Sequence, residues 1–127
     1  MRYLLDTTVL IDHAHGRAGV GDLLDSLFGQ PNDLFVCDVV VTEALSSGPD
    51  DEILVIGSLI RALEYVSTHP EAARWAGDAR RRRGLKGPRS LADALIAGVA
   101  WSLEATIVTR NPRDFERIGA PVLAYGS

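Results

Sequence analysis

Short apolar runs bounded by turn-forming residues alternate along this chain with longer stretches of helical periodicity, and that alternation restricts the fold most. The runs at residues 2–5, Leu34–Cys37, Tyr65–Ser67, Thr106–Thr109 and Pro121–Ala124 have the length and composition of buried strands. Between them lie helical patterns. A first helix follows Asp6 through Val9, Leu10 and Ile11. Val20, Leu23, Leu24, Leu27 and Phe28 then fall on one helical face, closed by Gly29 and Pro31. Val39–Leu45 fits strand or helix; Asp38 as a cap, Glu43-Ala44-Leu45 and the stop at Ser47-Gly48-Pro49 favour helix. Asp50 or Asp51 opens the next, with Ile53, Ile56, Leu59, Ile60 and Leu63 on one side. Pro70 begins a helix reaching about Arg83, Ser90 opens one running to Leu103, and Asn111-Pro112 starts a short one. The order β-α-α-β-α-α-β-α-α-β-α-β predicts an α/β domain, with a mostly parallel central sheet of four to five strands flanked by helices on both faces. In such sheets ligands bind beyond the carboxyl ends of the strands.

At 127 residues the chain is expected to form one domain, 1–127, with one sizeable core. Its single cysteine, Cys37, sits in an apolar run; it forms no intramolecular disulfide and is expected to be an inert buried thiol, in keeping with a reducing cytoplasm. No basic stretch precedes a long apolar one, and no apolar run approaches membrane-spanning length. The net charge of −4 hides a strong asymmetry. Residues 1–79 hold four basic and thirteen acidic side chains, whereas residues 80–127 hold nine basic and four acidic. Six of those nine are Arg80, Arg81, Arg82, Arg83, Lys86 and Arg89. A charged partner fits this distribution.

Four acids stand at the ends of separate apolar segments: Asp6 after Tyr3-Leu4-Leu5, Glu43 after Val39-Val40-Val41-Thr42, Asp93 within Ser90–Ala97, and Asp114 within Thr109–Phe115. Each has a structural explanation. Ser90-x-x-Asp93 resembles a capping box, Asn111-Pro112-x-Asp114 has the order of a helix start, Asp6 stands where it would cap a helix, and Glu43 is placed as a solvated helix residue. Capping leaves the setting of Asp93 unexplained. Its helix is small and apolar on most sides, so a charge in its first turn needs compensation. Clustered carboxylates also repel. A hard divalent cation relieves both difficulties, and oxygen donors suit Mg²⁺ or Mn²⁺. No histidine pair at ligand spacing argues for zinc; His13 and His15, two apart, face different sides of a helix.

Four stretches carry a family resemblance. Leu5-Asp6-Thr7-Thr8-Val9-Leu10, Val41-Thr42-Glu43-Ala44-Leu45-Ser46-Ser47-Gly48, Leu91-Ala92-Asp93-Ala94-Leu95-Ile96-Ala97 and Ile107-Val108-Thr109-Arg110-Asn111-Pro112-Arg113-Asp114-Phe115 resemble, in order, the four motifs of PIN-domain ribonucleases. Length, order and spacing are similar to those of VapC toxins of VapBC toxin–antitoxin pairs, and the resemblance covers essentially the whole chain. It implies a single PIN-like domain and metal-dependent endoribonuclease activity. Asp6, Glu43, Asp93 and Asp114 would form the metal site, Asp6 and Asp93 as the first direct ligands, with auxiliary polar roles for Thr8, Thr109 and Asn111. It further implies Mg²⁺ or Mn²⁺ as cofactor, an RNA substrate, a VapB-type antitoxin as partner, and a homodimer. Asp38 and Glu52 lie near enough to compete with Glu43. Where the family continues its third motif with two alanines this chain has Ala97-Gly98, a change that lets backbones approach more closely.

The arginine-rich window falls at a helix end and on the loop after it, where Arg80–Arg83, Lys86 and Arg89 would contact RNA phosphates without reading bases. The alternative is a solvated helix terminus, where cations suit the dipole. Trp75 and Trp101 lie within apolar helical patterns and are expected in the core. Two other functions compete. A haloacid-dehalogenase-like phosphatase would use Asp6 as nucleophile, but it needs a second acid where Thr8 stands and a lysine, and Lys86 is the only one. A non-catalytic Mg²⁺-binding receiver-like domain needs an adjacent acidic pair near the end of its first strand, which is missing.

Overall fold

The structure, a computed structural model, describes residues 1–126. Strand β1 (Arg2–Leu5) leads into α1 (Thr7–Ala14) and α2 (Val20–Phe28). Then follow β2 (Asp33–Cys37), α3 (Asp38–Ala44), α4 (Asp50–Arg61), β3 (Glu64–Val66), α5 (Pro70–Arg83), α6 (Pro88–Leu103), β4 (Thr106–Thr109), α7 (Pro112–Glu116) and β5 (Val122–Ala124). The five strands form one sheet in the order β3-β2-β1-β4-β5, and every pairing is parallel. Leu4 is opposite Phe35 on one side and Ile107 on the other.

Parallel strands need crossover helices, and right-handed crossovers decide the faces. The links β1→β2→β3 run towards one edge and carry α1–α4. The return from β3 to β4 and the link to β5 run the other way, so α5, α6 and α7 cover the opposite face. The direction reverses between β1 and β4, which makes their carboxyl ends the switch point where such folds bind ligands. Asp6 follows β1 there, and Arg110-Asn111 follow β4.

The central strands Leu4, Leu5, Val36, Cys37, Ile107 and Val108 are buried, as strands covered on both faces must be. In α2 the stripe delivers Val20, Leu24 and Leu27 to the core, while Phe28 ends the helix exposed. Ala72, Ala76 and Ala79 of α5 meet the small side chains of α6, and a Cβ placed on Gly98 would run into the Ala72 carbonyl. The glycine of the third motif therefore sets how closely these helices approach.

Three sequence expectations are corrected at α6 and one at α3. Helix α6 opens at Pro88 behind Gly87 (φ 92°), not at Ser90. The Ser90 hydroxyl donates back to the Gly87 carbonyl at 3.1 Å, so there is no capping box; Asp93 sits in the second turn, and Arg89 belongs to the helix rather than to the preceding loop. Asp38 is the first residue of α3 rather than its cap. Its carboxylate accepts from Val39 N, Thr68 N and Thr68 Oγ1, which ties α3 to the segment after β3. A further correction concerns Trp101, which is 50% exposed and stacks on half-buried Trp75 with ring centroids 6.1 Å apart. Helical periodicity placed it on an apolar helix, but at the last turn of α6 half of the residue is left to solvent. No helix among the described residues is long and apolar enough to cross a membrane.

Candidate active site

Asp6 is delivered by β1, whose register with β4 is continued by a hydrogen bond from Asp6 N to the Val108 carbonyl at 3.0 Å. It occupies the cap position of α1, yet its carboxylate makes no cap bond to that helix. Its Oδ2 instead accepts from the Thr109 hydroxyl at 2.8 Å and the Thr8 hydroxyl at 3.1 Å. Each threonine oxygen in turn accepts a loop amide: Arg110 N to Thr8 and Asn111 N to Thr109. The two hydroxyls thus carry backbone donors from the β4–α7 turn to a carboxylate that is only 6% exposed. Burial pushes the Asp6 carboxyl above its ordinary range. The Thr109, Thr7 and Thr8 donors oppose that shift, and the Glu43 charge adds to it.

Glu43, on α3, accepts from the Thr7 hydroxyl at 2.7 Å. Asp114, on α7, pairs with Arg89, Nη2 to Oδ2 at 3.0 Å. Asp93 presents the sharpest problem: its Oδ2 is buried and has no hydrogen-bond partner. Burial, then the charges of Asp114, Asp6 and Glu43, push its carboxyl up to about 7, with Arg89 opposing. Asp93 on α6 thus feels the charges of Asp6 at the sheet edge, Glu43 on α3 and Asp114 on α7. They converge without closing: among the described residues no three acidic, histidine or cysteine side chains stand close enough to hold a metal ion. The donor set fits a hard cation in chemistry, being all oxygen with one buried lone oxygen unsatisfied. Two of its members are meanwhile engaged by Thr7 and Arg89.

The competitors of Glu43 point elsewhere. Asp38 serves Thr68, and Glu52 lies 3.3 Å from His15. Asn111 contributes its backbone amide rather than a side-chain cap. The arginine window separates into distinct roles. Arg80 reaches the Gly87 carbonyl and the buried Ser90 hydroxyl, and Arg83 the Arg117 carbonyl, so both stitch the fold. Arg81 and Arg82 pair with Asp78, and Lys86 is exposed on the loop after α5. Arg89 reaches the acids from the solvent edge of the site, through Asp114.

Sequence reasoning missed Thr7, for which the paired threonines after Asp6 were the available signal. It also missed Asp12, which is 3% exposed and accepts from Arg110 Nε and Tyr125 Oη, each at 2.8 Å. This network pins the β4–α7 turn that supplies the Thr8 and Thr109 relays. No local pattern marks a contact 98 or 113 residues away. Cys37 is buried with its thiol pushed up to about 11 by burial, as expected of an inert cysteine. A cleft of about 710 Å³ is lined by Arg2, Trp75, Trp101, Leu103 and Pro121 at the amino ends of the strands, away from the acids.

A family model described as the PIN domain matches residues 3–121. The chain belongs to the PIN domain family. Ribonuclease VapC19 of Mycobacterium tuberculosis is 28% identical over 113 residues, which cover 88% of this chain and 90% of that protein. Among solved structures, VapBC2 from Rickettsia felis bound to a promoter DNA fragment aligns with a TM-score of 0.82 at 21% identity, covering 99% of this chain and 100% of that one. DNA-bound VapBC from Salmonella typhimurium aligns with a TM-score of 0.77 at 25% identity, covering 98% of each. The phosphatase and receiver readings fall away with this PIN domain assignment. Lys86, the one lysine the phosphatase chemistry would draw on, lies on an exposed loop.

Proposed function

We propose that this PIN domain protein is a divalent-metal-dependent endoribonuclease, the toxin of a VapBC-type pair, held in check by a VapB-type antitoxin. The observation that carries the reading is Asp93: a carboxylate oxygen buried without a donor and subject to the charges of three further acids is a poor arrangement for stability and a good one for a cation. Asp6 and Asp93 would bind the ion directly, with Glu43 and Asp114 completing the set or orienting the attacking water. Mg²⁺ and Mn²⁺ both suit these ligands. When bound, a divalent cation supplies the Lewis acidity that activates water and offsets charge on the scissile phosphate.

The rest of the chemistry belongs to the chain. Thr8 and Thr109 hold Asp6 in one orientation and pass it the donor strength of two loop amides. Arg81, Arg82 and Lys86, on the exposed end of α5 and the loop beyond it, draw in the RNA backbone; Arg80 and Arg83 are already committed to carbonyls. Neutralising Arg81 and Arg82 together is expected to flatten the salt dependence of RNA binding, and an unchanged slope would remove them from the interface. The kinship with VapC19 and the likeness to VapBC complexes support an antitoxin partner; a homodimer is what the family resemblance implies, and an RNA substrate implies a cytoplasmic site of action.

The test is induced expression followed by sequencing of RNA 5′ ends. Wild-type protein is expected to generate new ends, and Asp6→Ala and Asp93→Ala to generate none while retaining the wild-type circular-dichroism spectrum. Undiminished cleavage by either variant would overturn the assignment.

A further inference from the structure

Seven ion pairs form among the described residues, and only one of them reaches the four acids: Arg89 to Asp114. Arg89 is the second residue of α6, one turn ahead of Asp93. The pair is asymmetric: the Arg89 side chain is 76% exposed and that of Asp114 25%. A pair so open to water is held weakly and exchanges readily.

We propose that Arg89 is an exchangeable counter-ion of the acidic site. It holds Asp114 while no divalent cation is bound, and moves to an RNA phosphate beside the scissile bond once a cation takes over the carboxylates. The inference rests on reading the four acids as a cation site. Two observations carry it. The acids are not gathered to ligating distance, and two of them are engaged by single groups, Asp114 by Arg89 and Glu43 by Thr7. The guanidinium, already at the solvent edge of the site, loses its partner when a cation binds, at the place where a polyanion must enter. Its planar donor fork suits a phosphate at least as well as a carboxylate. Without cation, Arg89 is a plug; with cation, it is a substrate-positioning residue.

The idea predicts effects of opposite sign from one substitution. In calorimetric titration with Mn²⁺ and no RNA, Arg89→Gln is expected to bind the ion about five-fold more tightly than wild type, because the competing cation is gone. Binding of a fluorescein-labelled 20-nucleotide single-stranded RNA is then followed by anisotropy, in EDTA and in Ca²⁺. In EDTA the variant and wild type should bind alike, since Arg89 is occupied. In Ca²⁺ the variant should bind about five-fold more weakly, with a salt slope shallower by about 0.7, one phosphate contact on a single strand. Arg89→Lys should restore most of the RNA affinity. Unchanged Mn²⁺ affinity in Arg89→Gln removes the competition and overturns the inference, and so does RNA binding weakened equally in EDTA and in Ca²⁺. If wild-type protein itself takes up no Mn²⁺, the four-acid reading fails first, and the titration alone reveals it.

Discussion

At Asp93 one oxygen is buried without a donor, and neighbouring carboxylates raise the cost of ionising the group further. Its carboxyl, pushed up to about 7 in the folded chain, sits near the ordinary value of 3.8 when unfolded. In metal-free protein the folded state thus binds more protons than the unfolded state between those values. The stability this contributes is fully present below about pH 4 and is lost as pH rises through about 7. Asp6, shifted in the same direction, adds the same sign. Asp93→Asn removes the buried charge, so in EDTA it should be more stable than wild type at pH 8, with the gap closing towards pH 4.5. Urea midpoints at the two pH values measure this, and a gap of equal size at both would show that charge is not the cause. The four candidate acids stand out in the residue string because four motifs carry them. What the residue string lacked was the partner of each acid, since Thr109 lies 103 residues from Asp6 and Arg89 lies 25 from Asp114.

Elements followed their sequence signals wherever apolar periodicity was strong. The five strands and the α2 stripe emerged close to where the pattern put them, because a parallel strand must be apolar throughout and an amphipathic helix must bury one face. Helix starts fared worse. Ser90 offered a cap signal, but Pro88 at the first helical position behind Gly87 prevailed and moved Asp93 a turn inward. Helix α6 also carries a testable dependence on its glycine. Gly98→Ala forces a methyl against the Ala72 backbone and should cost about 1–3 kcal/mol by driving α5 and α6 apart. Gly77→Ala, in α5 with open space around it, should instead stabilise by about 0.5–1 kcal/mol. Thermal melts of the two variants check the contrast, and equal shifts would mean that helix propensity alone is being read.

On the scale of the whole molecule, the acidic site lies where the sheet reverses its direction of winding and joins segments from both halves of the chain. A cation that binds only this assembled site stabilises the folded state by mass action. Saturating Mn²⁺ is therefore expected to raise the melting temperature of wild-type protein by several degrees and to leave Asp6→Ala/Asp93→Ala unmoved; an equal rise in both would place the stabilising ion elsewhere. The sequence by itself determined the α/β class and the parallel sheet and singled out the four candidate acids, because apolar periodicity and short motifs are local properties. Tertiary structure alone decided that Thr8 and Thr109 orient Asp6, that Asp12 anchors the turn supplying them through Arg110 and Tyr125, that Trp101 is left exposed, and that Arg89 belongs to the site. Each of these is a relation between distant segments, and such relations exist only once burial and strand register have brought the segments together.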